Sequence, residues 1–452
     1  MLTPQSLPWA DPLTLAAGVD EPYFVLLYSG VQASYSGRYS YLAHGLAERV
    51  EGTDFSDFER KPGAGGGGFD NAWFGYLGYG LKDGLERLAP DRPGWLALPN
   101  LCMMRFHTIY QFDHLEQKLT RWSDVLTSPP PIGGRPGGGH NKERLSQISP
   151  HPNPPPMGEG TVPSVISLRS NMTHEEYRKK AAYIIECIHR GDLYQANLTR
   201  KFNGSFSDVP DAFALFRKLC AVSPAPYSAF MRLGEYSILS SSPELFLHVD
   251  AHGRVRTRPI KGTAARFADT AQDDASRRAL EASAKDRAEN LMIADLMRND
   301  VSRSCLPGSV RAESLFEVTS HATIHHMSST ITGTKHPGYS ALDAVKGCFP
   351  PGSMTGAPKI MAMSLCSRME EMERGIYSGA LGWFGGDGSC ELSVVIRTLI
   401  LHGRDFEFQV GGGIVADSTP EGELNELVEK SKGILLTLGI SPQKFIALTE
   451  NL

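Results

Sequence analysis

One lysine is placed by its neighbours as a nucleophile would be. Lys261 lies in the Pro-Ile-Lys-Gly-Thr run at 259–263, directly after a strand-like segment at 254–258. The proline before it and the glycine after it restrict where its side chain can point. Such a lysine is either a solvated surface residue or an amine set against a substrate. The rest of the chain has to decide between the two.

Four glutamates could serve as an acid, a base or a metal ligand. Glu244 is a single carboxylate directly before an apolar strand. Glu289 shares the apolar face of a helix predicted at 285–300, where it needs a cation or a metal unless the helix dipole near the first turn suffices. Glu423 and Glu426 lie three residues apart on the last predicted helix. They either form a solvated edge of that helix or provide oxygen ligands for a hard cation.

Three further segments could bind an anion. Arg397 lies among apolar residues of a predicted strand, where a guanidinium usually meets a carboxylate. The Gly/Ser/Thr-rich turn at 352–359 runs into a helix and brings a lysine, although a mere tight turn is as common. At 411–413 three glycines let the backbone approach a ligand closely. With the carboxylates and one histidine, these segments suggest a site for a small dianionic substrate held by Mg²⁺.

The elements that would position these residues follow from the pattern of the chain. Strands are predicted at 23–28, 102–112, 119–125, 376–384, 391–401 and 405–410, with a packed aromatic and glycine-rich turn at 70–79. A capping box of Thr173 and Glu176 begins a helix that Gly191 ends. The segment at 128–163 is rich in Pro, Gly, Ser, His and Asn and is predicted to be a disordered insert.

The composition bounds the class of protein. The 452 residues are 41% hydrophobic and 21% charged, which is typical of a globular chain with a large core. A net charge of -5 without a basic run argues against a nucleic-acid partner. No apolar stretch reaches the roughly 18 residues that span a membrane, and the N-terminus lacks the order of a signal peptide. Seven scattered cysteines indicate neither disulfides nor zinc, so a cytoplasmic protein is expected.

Six motifs together resemble those of the chorismate-utilising enzyme family. They read GDLYQANL at 191–198, SPE at 242–244, PIKGT at 259–263, ENLMIADLMRND at 289–300, GSMTGAPK at 352–359 and GGGIVADS at 411–418. The resemblance implies an α+β fold of the chorismate-binding type, with two packed antiparallel β-sheets and helices outside. An N-terminal part, 1–127, would interleave with a catalytic domain at 164–452.

Two positions imply which reaction is catalysed. Gln195 stands where members that add water to chorismate have a lysine base, which argues against isochorismate and salicylate synthesis. Lys261 stands where anthranilate-forming members have an alanine. In members with this lysine, the amine adds at ring C2 as the C4 hydroxyl leaves, and ammonia then adds at C4 and expels the lysine. Amination to 4-amino-4-deoxychorismate, a step toward p-aminobenzoate and folate, is therefore expected. Anthranilate synthesis is the alternative, and a non-catalytic chorismate-binding scaffold is a second one.

The resemblance also implies a role for each site residue. The catalytic group would comprise Lys261 as nucleophile, Glu244 as general acid and base, and His326 beside the reacting ring. The Mg²⁺ ligands would be Glu289 and Glu426, with Glu423 acting through water. The substrate would be bound by Thr263, Ser353, Thr355, Lys359, Arg397, Gly411, Gly412 and Gly413.

The implied partner is a glutaminase subunit that supplies ammonia in a heterodimer, because no Gly-x-Cys-x-Gly-type nucleophile region occurs in this chain. No lyase domain follows the synthase region, so a further enzyme would remove pyruvate. The resemblance includes a candidate tryptophan pocket of Ser29, Pro224 and Tyr227. Tyr28 replaces the glutamate of feedback-inhibited members there, which leaves tryptophan binding open. Trp383 stands where a tyrosine is usual and is expected to remove a hydroxyl contact to the substrate.

Overall fold

The structure is a computed structural model that describes residues 2–31, 36–59, 61, 68–88, 91–124, 162–321 and 324–449. The insert predicted at 128–163 lies outside these residues, except for its last two positions. The strands are β1 (Thr3–Leu7), β2 (Tyr23–Tyr28), β3 (Tyr39–Gly52), β4 (Trp73–Leu77), β5 (Leu101–Asp113), β6 (Lys118–Ser123), β7 (Val165–Ser170), β8 (Gln195–Phe206), β9 (Tyr227–Leu233), β10 (Tyr236–Ser242), β11 (Leu245–Val249), β12 (Arg254–Arg258), β13 (Ile260–Ala265), β14 (Arg311–Ser320), β15 (Ile324–Thr334), β16 (Gly356–Ala357), β17 (Ala380–Phe384), β18 (Cys390–Val394), β19 (Thr398–His402) and β20 (Asp405–Ile414). The helices are α1 (Pro12–Ala17), α2 (His174–His189), α3 (Ala212–Val222), α4 (Thr270–Ala282), α5 (Ala284–Ser302), α6 (Ala341–Cys348), α7 (Gly352–Thr355), α8 (Lys359–Glu370), α9 (Pro420–Leu438) and α10 (Pro442–Thr449).

The 20 strands of the described residues form one continuous antiparallel sheet, which folds back so that its two halves face each other. One half runs β8-β20-β19-β10-β9-β2-β3, and the other runs β4-β17-β18-β11-β12-β15, with β13 and β14 both pairing with β15. Strand β5 pairs with both β3 and β4 and so joins the halves. The expected α+β fold with two packed antiparallel sheets is confirmed, the sheets being the two halves of this ladder.

Three apolar cores hold the halves and the helices together. The middle core contains Val25 and Met231 from one half and Phe74 and Leu381 from the other, so the two halves pack face to face. A second core lies under α2, α3 and α9, and a third under α5 and α6. Helix α2 begins with the predicted Thr173–Glu176 capping box, and Gly191 follows it with φ +85°. This left-handed residue ends the helix as the sequence indicated.

The packed turn predicted at 70–79 is wrong, because its centre is the fully buried strand β4. A Cβ at Gly75 would lie 2.0 Å from the carbonyl oxygen of Cys102 on the neighbouring strand. The glycine is therefore needed for close contact between strands, which a glycine in a strand can provide as well as a turn. Among the described residues, no helix is long and apolar enough to cross a membrane.

Candidate active site

Lys261 lies in a β-bulge of strand β13. The register of β13 against β15 shifts between Ile260 and Thr263, and Gly262 between them has φ +93°. Such a bulge changes the direction in which a side chain points. The buried Asn290 of α5 donates from Nδ2 to the Lys261 carbonyl oxygen at 3.3 Å, which fixes the backbone of the bulge from the helix side.

The Lys261 ammonium has no ion pair or hydrogen bond within the described part of the chain, although charged groups surround it. Burial lowers the pKa of Lys261, and the positive charge of Lys430 lowers it further. The pKa of Lys261 is raised in turn by the negative charges of Glu289, Glu426 and Glu244. A depressed lysine pKa increases the fraction of free amine, which is the nucleophilic form.

Glu244 lies at the junction of β10 and β11 and is 5% exposed. Burial raises the pKa of Glu244 to about 7, against hydrogen bonds from the Ser353 hydroxyl and the Ile260 backbone N–H and the charge of Lys261. A carboxyl group with a pKa near neutrality can both donate and accept a proton, so Glu244 is suited to general acid and base catalysis.

Arg397 occupies a break between strands rather than the interior of one, so the predicted strand at 391–401 is wrong at this point. Strand β18 ends at Val394 and β19 begins at Thr398, and Arg397 between them has φ +49°. The negative charge of Glu244 favours the charged form of Arg397, but among the described residues no carboxylate forms an ion pair with the guanidinium. Its guanidinium is therefore free to bind an anionic ligand, and its role as a binder of a substrate carboxylate stays a prediction.

His326 lies beside Arg397 and is 3% exposed. Burial holds its pKa well below the usual range, and the nearby Arg397 lowers it further, so the imidazole is neutral. Its Nδ1 is buried without a hydrogen-bond partner in the described structure. Thr263 pairs with His326 across the ladder, lies two residues after Lys261 on β13 and is exposed.

The glycines at 411–413 form a wall on which no side chain would fit. A Cβ at Gly413 would lie 2.2 Å from Gln195 Nε2 and 2.8 Å from Lys261 Nζ. A Cβ at Gly412 would lie 2.6 Å from Glu423 Oε2. Gly411 accepts a hydrogen bond from Lys430 Nζ at 3.1 Å. The amine of Lys261 therefore lies against the backbone of these glycines, and a ligand can approach that backbone closely.

Three carboxylates on α5 and α9 interact electrostatically with the charge of Lys261. Glu289 lies 4.0 Å from Lys285, and burial raises the pKa of Glu289. Glu423 accepts a hydrogen bond from Ser418 at 2.6 Å, and burial raises its pKa also. Burial acts to raise the pKa of Glu426 as well, but the ammonium of Lys430 at 2.6 Å prevails and lowers it.

These carboxylates fit a hard divalent cation. The Glu423 Oε2 atom is buried without a partner in the described structure, and carboxylate oxygens are the donors that Mg²⁺ prefers. Within the described ranges, no group of three or more His, Cys, Asp or Glu stands ready to hold a metal. Mg²⁺ is usually held by one or two carboxylates together with substrate oxygens and water, so a ready-made cage is not required.

Lys359 is not available to a substrate, contrary to its predicted role. Its ammonium donates to Asp300 Oδ2 at 2.6 Å and to the carbonyl oxygens of Cys348 and Pro350 at 3.0 and 2.9 Å. These acceptors use all three of its N–H groups. Lys359 instead ties the turn before α8 to α5. Ser353 of this turn contacts Glu244, whereas the Thr355 hydroxyl donates to the Gly352 carbonyl at 3.2 Å.

The candidate tryptophan pocket lies elsewhere, as a cavity of about 430 Å³. Ser29 and Tyr227 line it, but the proline that lines it is Pro226 and not Pro224. Trp383 packs against Tyr41 and Phe69, with ring centroids 5.7 Å away in each case. It therefore belongs to the core between the halves, and its effect on a substrate contact stays a prediction.

Two residues of the site were missed by sequence reasoning. Lys430 contacts Glu426 and Gly411 and acts on the pKa of Lys261. Its position four residues after Glu426 on one helix was a usable signal, since such pairs meet on a helix surface. Asn290 holds the Lys261 backbone, but nothing in its local pattern distinguishes it from a core-facing asparagine.

Comparison with known proteins places this geometry in a family. A family model described as chorismate binding enzyme matches residues 28–436. The chain is 37% identical over 383 residues to aminodeoxychorismate synthase of Streptomyces griseus, covering 82% of this chain and 50% of that protein. It is 43% identical over 267 residues to aminodeoxychorismate synthase component 1 of Klebsiella aerogenes, covering 59% of this chain and 58% of that protein. The chain therefore spans about half the length of these curated relatives.

Solved structures show the same architecture. Anthranilate synthase component I from Streptococcus pneumoniae TIGR4 superposes with a TM-score of 0.73 at 26% identity, covering 89% of this chain and 93% of that one. The menaquinone-specific isochorismate synthase from Escherichia coli has a TM-score of 0.74 at 17% identity, covering 97% of this chain and 94% of that one. The second likeness concerns the fold alone.

Proposed function

The chain belongs to the chorismate-binding enzyme family, and from this we propose that it aminates chorismate at C4 with ammonia to give 4-amino-4-deoxychorismate. The observation that carries the proposal is Lys261, an amine without an ion-pair partner among the described residues and with a depressed pKa. It lies in the same site as Glu244, whose pKa is raised to about 7 by burial. An amine placed beside a proton donor is the arrangement that covalent substitution of a hydroxyl requires.

In the first step the Lys261 amine attacks ring C2. A bond forms between C2 and the lysine nitrogen, both double bonds of the ring diene shift by one position, and the C4–O bond breaks. Glu244 in its protonated form gives its proton to the departing hydroxyl, which leaves as water. The pKa of Glu244, raised to about 7 by burial, keeps a substantial fraction of the carboxyl protonated near neutrality.

In the second step ammonia attacks C4. The C4–N bond forms, both ring double bonds return to their original positions, and the C2–N bond to Lys261 breaks and restores the amine. The Glu244 carboxylate takes the proton that the new ammonium loses, which returns the acid to its starting state. Arg397 and the backbone at 411–413 would hold the substrate carboxylates, and the neutral His326 would lie against the ring.

Glu289 and Glu426 would hold Mg²⁺, with Glu423 acting through water, and the bound ion would neutralise the charge of a substrate carboxylate. Replacing Glu289 with glutamine is expected to weaken Mg²⁺ binding on the order of tenfold or more, because a charged ligand is lost. Titration calorimetry with Mg²⁺ alone measures this directly. The control is Asp295→Asn on the exposed side of α5, where the side chain is 66% exposed and pairs with Arg298. Equal Mg²⁺ affinity in wild type and Glu289→Gln would remove Glu289 from the metal site.

Gly413→Ala tests the wall behind the amine. The new Cβ would push against Gln195 Nε2 and Lys261 Nζ, so we expect kcat/KM for chorismate to fall on the order of 10²-fold, as small displacements of reacting groups can cause. Gly338→Ala is the control, since its Cβ would meet no atom closer than 3.4 Å. Wild-type kinetics in Gly413→Ala would show that the amine does not need this position.

The activity itself is tested by a product assay with chorismate, Mg²⁺ and ammonium, in which the products are separated by chromatography. Formation of 4-amino-4-deoxychorismate supports the proposal. Formation of anthranilate would keep the family and establish the alternative reaction, and no amination product would support a non-catalytic binding protein. We further propose that a separate glutaminase subunit supplies the ammonia, since the Klebsiella aerogenes relative is named component 1. Seven free, buried cysteines accord with a cytoplasmic location.

A further inference from the structure

The hydroxyl of Tyr177 is buried and has no hydrogen-bond partner among the residues that the structure describes. Tyr177 lies near the start of α2 and is 0% exposed. With Ala181 and Ile184 of the same helix it belongs to an apolar core, where the ring of a phenylalanine would fill the same space. An unpaired buried hydroxyl lowers stability, and native proteins rarely leave one in place. The Tyr177 hydroxyl therefore needs an acceptor, and the apolar core does not provide one.

A second unpaired atom lies near this hydroxyl. Glu423 Oε2 on α9 is also buried without a partner in the described structure. Both atoms border the same point, because a Cβ at Gly412 would lie 2.6 Å from Glu423 Oε2 and 3.8 Å from Tyr177 Oη. Burial raises the pKa of Tyr177, and the negative charge of Glu423 raises it further, as expected for neighbouring groups. A phenol hydroxyl donates and a carboxylate oxygen accepts, so each atom suits the other as a partner.

The elements that carry the two residues are held side by side. Arg178, directly after Tyr177, forms an ion pair with Glu421 at 2.7 Å, and Glu421 lies two residues before Glu423 on α9. The Ser418 hydroxyl already donates to Glu423 Oε1 at 2.6 Å. A bond from Tyr177 to Oε2 would hold the carboxylate at both oxygens. An ionised carboxylate accepts about four hydrogen bonds, so sites remain for the water of a bound cation.

We propose that Tyr177 is a positioning residue of the metal site, whose hydroxyl donates to Glu423 Oε2 and fixes this carboxylate for its contact with Mg²⁺ through water. The inference rests on the Mg²⁺ site of the proposed function. The two atoms come within hydrogen-bond distance when the carboxylate and the hydroxyl turn toward each other, and the bond pairs both of them at once. Groups that orient metal ligands in this way contribute about 10–100-fold to metal affinity.

Tyr177→Phe removes the hydroxyl and keeps the ring that packs under α2. We expect the Kd for Mg²⁺, measured by titration calorimetry with Mg²⁺ alone, to rise on the order of tenfold. The Mg²⁺ concentration that gives half-maximal amination should rise in parallel, while kcat at saturating Mg²⁺ stays close to wild type. The control is Tyr76→Phe in the middle core, whose equally buried hydroxyl donates to the Pro99 carbonyl oxygen at 3.0 Å. Its Kd for Mg²⁺ should equal that of wild type.

A double-mutant cycle connects the effect with Glu423. Glu423→Ala should weaken Mg²⁺ binding, and addition of Tyr177→Phe should cause no further loss, because the hydroxyl acts through this carboxylate. Wild-type Mg²⁺ affinity in Tyr177→Phe would overturn the proposal, as would a second tenfold loss in the Glu423→Ala background. A wild-type protein that does not bind Mg²⁺ would overturn it together with the metal site. A wild-type protein that binds Mg²⁺ but forms no amination product would contradict the proposed function alone, since the binding cycle still confirms or overturns the role of Tyr177.

Discussion

Replacement of Lys261 with alanine is expected to abolish 4-amino-4-deoxychorismate formation, with kcat falling on the order of 10³-fold or more, as for loss of a group that acts in the transition state. The amine is the only atom of the side chain that can bond to ring C2. Without it, ring C2 is open to ammonia, and residual product should shift toward anthranilate. Chromatography of the products after reaction with chorismate, Mg²⁺ and ammonium measures both effects.

Lys261→Arg separates nucleophilic catalysis from charge. Arginine keeps the positive charge among Glu244, Glu289 and Glu426 but does not lose its proton, so it cannot act as an amine nucleophile. We expect this variant to be as inactive as Lys261→Ala. Substantial activity in Lys261→Arg would mean that the charge suffices and that no covalent adduct forms.

The covalent adduct can be detected by the mass that it adds to the protein. Intact-protein mass spectrometry after acid quenching during turnover should show wild-type protein heavier by chorismate less one water. The added mass should map to the peptide containing Lys261 and be absent from both variants. Wild-type turnover without any adduct, even with ammonium kept low to slow the second step, would contradict the two-step mechanism.

Replacement of Glu244 with glutamine is expected to lower kcat by about 10²–10⁴-fold, the usual contribution of a positioned acid or base. Glutamine keeps the shape of the side chain and a hydrogen bond with Ser353 but cannot give a proton to the departing hydroxyl. Because the acid form is required first, wild-type kcat/KM should decline as pH rises through about 7, the pKa to which burial raises Glu244. A profile without this decline would assign the proton transfer to another group.

The same substitution should stabilise the fold at high pH. The unfolded protein releases the Glu244 proton near 4.5, whereas the folded protein holds it to about 7. Between these values the unfolded state binds fewer protons, so stability falls as pH rises, by about 3 kcal/mol at most. Glutamine has no proton to release, so Glu244→Gln should unfold at higher urea concentration than wild type at pH 8, while the difference shrinks at pH 5.

Glu429→Gln is the control for this stability effect. Its side chain lies on α9, is 63% exposed and pairs with Lys432. We expect its urea midpoint to differ little from wild type at either pH, because exposed ion pairs contribute little to stability. Equal midpoints for wild type and Glu244→Gln at pH 8 would show that the buried carboxyl carries no cost and would remove the physical basis for its raised pKa.

The sequence determined the fold family and most of the chemical groups. Each motif depends on residues that are close together in the sequence, such as the capping box at Thr173 or the Pro-Ile-Lys-Gly-Thr run around Lys261. Hydrophobic periodicity and turn residues act over a few positions, so strands such as β2 and helices such as α2 could be predicted without knowledge of what packs on them. The aromatic strand β4 could not, because its glycine had the signature of a turn.

Tertiary structure decided which charges are free and which are paired. Lys359 and Arg397 are both cations of the predicted substrate site, but Lys359 pairs with Asp300 on another helix, while no described carboxylate pairs with Arg397. The charge of Lys430 lowers the pKa of Lys261 because α9 packs against β20 and brings the two residues near each other. Burial, not residue type, sets the pKa of Glu244, and burial depends on contacts between residues far apart in the chain. A linear pattern names the groups, whereas long-range packing assigns their partners, their charges and their exposure.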